Sequence, residues 1–215
     1  AIQKLPVVFC IDRAGLVGAD GPTHHGLYDV SYLRAVPNMI VSSPMDEQDL
    51  RDMMYTSVDY NDGAWAIRYP RGRATGMEVR EGFQKTEIGK GRTIQEGDDL
   101  AILSFGPIGN YVKEASESLA GEGINIGHFD MRYAKPLDTD LIDHVLSNYN
   151  RIITIEDGTK LGGFGSAVAE YVAEQGAGVS VKIMGVPDEI IRPGPMSRSY
   201  VLNFTTVISE DIDAS

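Results

Sequence analysis

Apolar residues in this chain follow two patterns. Short unbroken apolar runs alternate with stretches in which apolar positions recur every three or four residues. The first pattern suits strands covered on both faces, and the second suits helices with one face on a core. In the first part of the chain, Pro6–Ile11 reads as a buried strand, Met39–Ser42 as a second and Ala64–Arg68 as a third. Ser43 as N-cap, Pro44 at the first helical position and Asp46 at the capping-box position predict a helix start. Leu50, Met53, Met54 and Val58 would share one face of that helix.

The second part alternates more cleanly. Leu100–Phe105, Ile124–Phe129, Arg151–Ile155 and Val179–Ile183 read as strands. Between them, Ile108, Val112, Ala115 and Leu119 mark one helix, and Leu141, Ile142, Val145 and Leu146 a second. Gly163–Gln175 marks a third. This alternation predicts an α/β fold with parallel strands and right-handed crossovers. Residues 72–98 are polar and rich in glycine and read as a linker. The first segment has few strands for a doubly wound domain. With Ala1 so near a strand, it reads as the later half of a domain whose other half lies upstream.

Composition narrows the function classes. The 215 residues are 42% hydrophobic and 23% charged, which suits a globular protein with a real core. The single cysteine, Cys10, excludes a disulfide framework and reads as a small core residue. No run reaches the ~20 apolar residues of a membrane span. There is no recognisable signal peptide, so the expected location is cytoplasmic. The net charge of −12 argues against nucleic-acid and membrane-surface binding. The acid excess lies mainly after residue 85, and the basic residues before it are nearly all arginine. Arginine matches phosphate and carboxylate, so an anionic ligand is expected at the first segment.

The loop from Asp12 to Gly26 follows a strand at its carboxyl end, where open α/β sheets hold ligands. It gathers Arg13, Asp20, His24 and His25. A carboxylate and an imidazole four residues apart suit a proton-transfer pair, with His24 favoured over its neighbour His25. A solvated glycine-rich surface loop would have the same composition. Arg68-Tyr-Pro-Arg-Gly-Arg73 leaves the third strand at the same end, and Arg71 could give a phosphate a bidentate pair. A basic strand exit in surface ion pairs is the alternative. Glu156–Ser166 hints at a phosphate turn but lacks the Gly-x-Gly-x-x-Gly spacing, which favours close helix packing. The charges of Asp130–Asp138 suit a local ion-pair network. There is no Walker loop, nucleophile elbow or Cys/His metal cluster, and the Gly-Asp-Gly…Asn signature of thiamine enzymes is missing.

Taken together, these blocks carry a resemblance. Asp-Arg-Ala-Gly-Leu-Val-Gly-Ala-Asp-Gly-Pro-Thr-His-His-Gly, Arg-Tyr-Pro-Arg-Gly, Asp-Met-Arg-Tyr-Ala-Lys-Pro-Leu-Asp and Gly-Gly-Phe-Gly-Ser-Ala-Val follow in order. The chain thereby resembles the carboxyl-terminal third of the 1-deoxy-D-xylulose-5-phosphate synthase family, which is transketolase-like. The resemblance implies part of a pyrimidine-binding doubly wound domain over 1–80 and a linker over 81–98. A transketolase C-terminal-type α/β domain would follow over 99–215. It implies a homodimeric transferase that joins pyruvate, with decarboxylation, to D-glyceraldehyde 3-phosphate. The product serves isoprenoid precursor, thiamine and pyridoxal synthesis. It implies thiamine diphosphate and Mg2+ in the intact enzyme. The residues that hold them belong before Ala1, so no cofactor or metal is expected on this chain, and no turnover by it alone. By position, Arg13 and Arg71 match the arginines that hold the triose phosphate. Asp20 and His24 match acid/base and hydroxyl-binding residues. Residues 196–215 do not show the family's usual helical ending. The alternatives are another thiamine enzyme of the same build, such as transketolase or a 2-oxo acid dehydrogenase beta subunit, or a non-catalytic dimerisation module.

Overall fold

A computed structural model describes residues 1–18 and 20–191; the tail 196–215 lies outside them. The described residues build two sheets. The first holds β1 (Val8–Ile11), β2 (Met39–Ser42), β3 (Ala64–Arg68) and β7 (Tyr133–Lys135) in the order β1-β3-β2-β7. The second holds β4 (Arg92–Gln95), β5 (Leu100–Phe105), β6 (Ile126–Asp130), β8 (Arg151–Thr159) and β9 (Ser180–Val186) in the order β4-β6-β5-β8-β9. β1, β2 and β3 run parallel, as do β5, β6, β8 and β9. β7 and β4 each close an edge antiparallel. The helices are α1 (Asp29–Arg34), α2 (Glu47–Val58), α3 (Gly109–Ala120), α4 (Thr139–Asn148) and α5 (Phe164–Glu174).

The strand pleat explains the unbroken apolar runs. Along β5, Ala101 and Leu103 enter one core, while Leu100 and Ile102 enter another on the opposite face under α3. Along β3, Ala64 and Ala66 point to the first core, and Trp65 and Ile67 to a third over Met53. The first core joins both sheets to α1, α4 and α5, so the two sheets share one interior. Trp65 satisfies its buried indole N–H on Ser42 Oγ at 2.7 Å.

Several expectations are corrected. The strand read over Pro6–Ile11 is the shorter β1, and it is not buried. It pairs with β3 at the sheet edge, leaving Phe9 exposed. Cys10 is therefore exposed rather than a core residue, with its Sγ 3.8 Å from Met54 Sδ. The helix after β2 is capped by Asp46, whose carboxylate accepts from Asp49 N–H at 2.8 Å, not by Ser43. Met53 of its expected face is buried, but Met54 and Val58 are exposed. The buried side also carries Asp49 and Asp52, which pair with arginines, and Thr56 and Ser57, whose hydroxyls donate to the helix carbonyls of Asp52 and Met54. Asp52 pairs with Arg80 at 2.6 Å, and Asp49 with Arg92 at 2.5 Å and Arg132 at 2.7 Å. Residues 72–98, read as a linker, contain β4. The Asp130–Asp138 turn contains β7, which crosses to the first sheet.

Candidate active site

β1 and β3 end side by side, with Ile11 in register with Arg68. The chain leaves both at the carboxyl end, so the loop after β1 and the arginine turn after β3 share one crevice. The β1 loop is pinched at its neck. Gly15 N–H donates to Gly26 O at 2.9 Å, and Gly26 N–H to Arg13 O at 3.1 Å. Glycine is required at position 26, because a Cβ there would overlap the Arg13 carbonyl.

Arg13 adopts a left-handed backbone, φ 62°, which an arginine rarely takes without tertiary support. Its side chain turns back along the loop. Nε donates to Asp20 Oδ2 at 3.1 Å, and Nη1 donates to Asp12. The hydrogen bond that Arg13 gives to Asp20, with the nearby Asp12 charge, holds the Arg13 pKa above its ordinary value. Arg71 reaches the same carboxylate from the other turn, with Nη1 2.6 Å from Asp20 Oδ1. Two guanidiniums from separate loops thus converge on one carboxylate, and both remain partly open to solvent.

The turn carrying Arg71 is anchored behind the arginine by Glu47. Its carboxylate accepts from the N–H groups of Thr75, Gly76 and Met77 and from Thr75 Oγ1. These bonds, the Thr75 hydroxyl first, hold Glu47 down at about 2.

Among the residues singled out from sequence, the structure brings Arg13, Asp20 and Arg71 together. It does not pair Asp20 with His24, since both Asp20 oxygens go to arginines. His24 ends a short 3-10 turn, Pro22–His24, with its ring exposed and Nδ1 3.2 Å from Thr23 Oγ1. His25 is the less exposed ring. Its Nδ1 accepts from Val17 N–H at 3.0 Å, and its buried Nε2 has no protein partner among the described residues.

Sequence reasoning missed two buried groups behind the loop. Arg68, at the end of β3, is 1% exposed and donates to Asp29, Asp157 and the Gly26 carbonyl. Burial alone would lower its pKa, but Asp157 and Asp29 outweigh that and raise it. Glu156 on β8 is buried against the start of α5, and its Oε1 accepts from Gly165 N–H at 2.9 Å. Burial lifts its carboxyl to about 7, against the pull of those backbone N–H groups. A Cβ on Gly163 would overlap that carboxylate, and one on Gly165 would lie 2.5 Å from Thr154 Oγ1. These glycines serve close packing of α5 on the sheet. In the Asp130–Asp138 turn, Asp130 and Arg92 pair at 3.0 Å within a network that includes Asp46, Asp49 and Arg132.

Comparison with known proteins agrees with this architecture. Residues 1–76 match the transketolase pyrimidine-binding domain, and residues 89–207 match the transketolase C-terminal domain. The chain is 50% identical over 202 residues to the 1-deoxy-D-xylulose-5-phosphate synthase of Parabacteroides distasonis, covering 94% of this chain and 32% of that protein. It is 49% identical over 200 residues to the synthase of Cytophaga hutchinsonii, covering 93% and 31%. The chain therefore spans about a third of the length of these relatives. A solved structure described as a split-gene transketolase, inactive β4 tetramer, superposes with a TM-score of 0.84 at 26% identity. That match covers 99% of this chain and 68% of the other. Among the described residues, no helix is long and apolar enough to cross a membrane. The chain belongs to the transketolase family, with the α/β architecture of its pyrimidine-binding and C-terminal domains, and within it resembles the 1-deoxy-D-xylulose-5-phosphate synthases.

Proposed function

We propose that this chain forms the acceptor side of the active site of a cytoplasmic 1-deoxy-D-xylulose-5-phosphate synthase. In this reading, Arg13 and Arg71 bind the phosphate of D-glyceraldehyde 3-phosphate. Asp20 aligns the two guanidiniums and accepts from an acceptor hydroxyl. His24 gives up the proton that the aldehyde oxygen takes as the aldehyde carbon bonds to the two-carbon unit left when pyruvate loses CO2. The observation that supports this most is the convergence of Arg13 and Arg71 on one carboxylate at 3.1 and 2.6 Å. A site for a dianionic handle needs two such forks, since each gives short charge-assisted bonds along fixed directions. The exposed ring of His24 is free to meet a substrate, and a positioned imidazole contributes ~10²–10⁴-fold. The phosphate takes no part in the chemistry, so its binding energy can orient the aldehyde.

Thiamine diphosphate supplies the nucleophilic carbon in this family's chemistry. The residues of this chain do not fit its Mg2+-diphosphate end. Among the described residues, no three His, Cys, Asp or Glu side chains converge as metal ligands. The crevice donors are arginines and imidazoles, which suit the acceptor. Turnover by this chain alone is not expected, because it spans about a third of the length of the synthases it resembles. The exposed Phe9, Met54, Tyr55 and Val58 on β1 and α2 support a covered face, as in a homodimer.

Acceptor preference tests the reading. The gene product as its source cell makes it should use D-glyceraldehyde 3-phosphate in preference to ribose 5-phosphate. A preference for the ribose phosphate would make it a transketolase instead.

A further inference from the structure

We infer that Arg68 is a positioning residue that fastens the neck of the loop bearing Arg13, Asp20 and His24, and that Asp157 of the second sheet completes the fastening. The catalytic consequence rests on the synthase reading above; the fastening itself does not.

Gly26 O accepts from Gly15 N–H, and Gly26 N–H contacts both Arg13 O and Gly15 O at 3.1 and 3.0 Å. Beyond the neck the loop has little regular structure, apart from the single 3-10 turn at Pro22–His24. Inside the loop, Asp20 bonds Arg13 and Arg71 and Val17 N–H bonds His25, so the neck sets where this bonded unit stands on the sheet. The Gly26 carbonyl is also where Arg68 takes hold, with Nη2 at 3.0 Å. One oxygen thus receives the bond that closes the neck and the bond that ties it to β3.

The other two arms of Arg68 fix its plane. Nε donates to Asp29 Oδ2 at 2.9 Å, at the start of α1, just after the loop. Nη1 donates to Asp157 Oδ1 at 2.5 Å, on β8. A guanidinium this buried needs such partners, because an unpaired buried charge is strongly unfavourable. Its planar fork sends N–H groups to three acceptors at once, whereas an ammonium offers one centre. Asp157 also lies directly beneath the neck. A Cβ on Gly15 would be 3.0 Å from Asp157 Oδ2, and Gly15 has φ 79°. The second sheet therefore reaches under the loop of the first, and the two halves of the chain meet at Arg68.

The test uses the gene product as the source cell makes it, with Asp157→Asn and Arg68→Lys. Asparagine is isosteric at a partly exposed position, so Asp157→Asn keeps the test open should Arg68→Lys not fold. Amide hydrogen exchange over residues 13–27 should speed up by about tenfold or more, the loss expected for one charge-assisted hydrogen bond. Exchange in β5 should stay unchanged. Steady-state kinetics should show a higher KM for the triose phosphate and a lower kcat, with the KM for pyruvate unmoved. A purely structural defect would lower kcat through loss of active protein and leave both KM values alone. Unchanged exchange over 13–27 in folded Asp157→Asn, or an unchanged triose-phosphate KM in an active enzyme, overturns the inference. Faster exchange in a protein whose unsubstituted form makes no deoxyxylulose phosphate supports the fastening and refutes the synthase reading.

Discussion

Replacing Arg71 by alanine removes one of the two guanidiniums that meet at Asp20. Arg71 is half-exposed and gives one N–H to Asp20 at 2.6 Å, so most of its donors remain for a phosphate. A hydrogen bond to a charged group contributes about 1.5–3 kcal/mol, and 1.4 kcal/mol is a factor of ten. The loss of that bond should raise the triose-phosphate KM by roughly 10- to 100-fold. Asp20 adds to the effect. With Arg71 gone, its charge is balanced by Arg13 alone, 3.1 Å away, and opposes the incoming phosphate more strongly. The handle does not react, so kcat at saturating triose phosphate should change far less than KM. The assay is initial-rate kinetics of the natural gene product with the triose phosphate varied at saturating pyruvate. A KM within about twofold of the unsubstituted value, with kcat lowered instead, would place Arg71 away from the phosphate and refute the reasoning.

Three further outcomes are expected of the same protein. Glu156 has a folded pKa of about 7 against an ordinary 4.5, so its ionisation opposes folding. That penalty is absent below about 4.5, grows between 4.5 and 7 and is complete above. Glu156→Gln should therefore gain stability relative to the unsubstituted protein as pH rises from about 5 to about 8, by up to about 3 kcal/mol in denaturant melts. A gain independent of pH would contradict this. Glu47 behaves oppositely. Its pKa is depressed to about 2, so its contribution is present above about 4.5 and is lost as pH falls through 2. Glu47→Gln should flatten acid unfolding over that window in a circular-dichroism titration and raise the triose-phosphate KM by loosening the Arg71 turn. Gly26→Ala should destabilise the protein by about 2 kcal/mol or more in denaturant melts, because its Cβ would overlap the Arg13 carbonyl.

How far the sequence could be read differs between the halves for a physical reason. β5 was legible to its last residue because Leu100–Phe105 is buried on both faces and apolar throughout. The α3 face of Val112, Ala115 and Leu119 was legible for a similar reason: it packs on apolar neighbours. α2 misled because part of its buried side faces Arg80, Arg92 and Arg132, so aspartates stand where hydrophobes were expected. β4 and β7 are short antiparallel edges with charged ends, too brief to show a period. Cys10 was misplaced because an apolar edge strand has the same composition as a central one. In the site, the residue types of the loop pointed to anion binding, and the structure does bring Arg13 and Arg71 together. The partnership of Asp20 with arginine rather than His24 was not legible, since Arg71 is distant in sequence. Nor was Arg68 visible, whose acceptors come from the loop, α1 and β8.

The central claim is that this chain carries the acceptor side of a deoxyxylulose phosphate synthase. The direct measurement is product analysis by mass spectrometry. The natural gene product, thiamine diphosphate, Mg2+, pyruvate and D-glyceraldehyde 3-phosphate are combined, with an Arg13→Ala, Arg71→Ala double variant beside it. The first should form 1-deoxy-D-xylulose 5-phosphate, and the second should lose most of that formation at low triose phosphate and recover part of it at high concentration. No deoxyxylulose phosphate from the unsubstituted protein, or equal formation by the double variant at low triose phosphate, would contradict it.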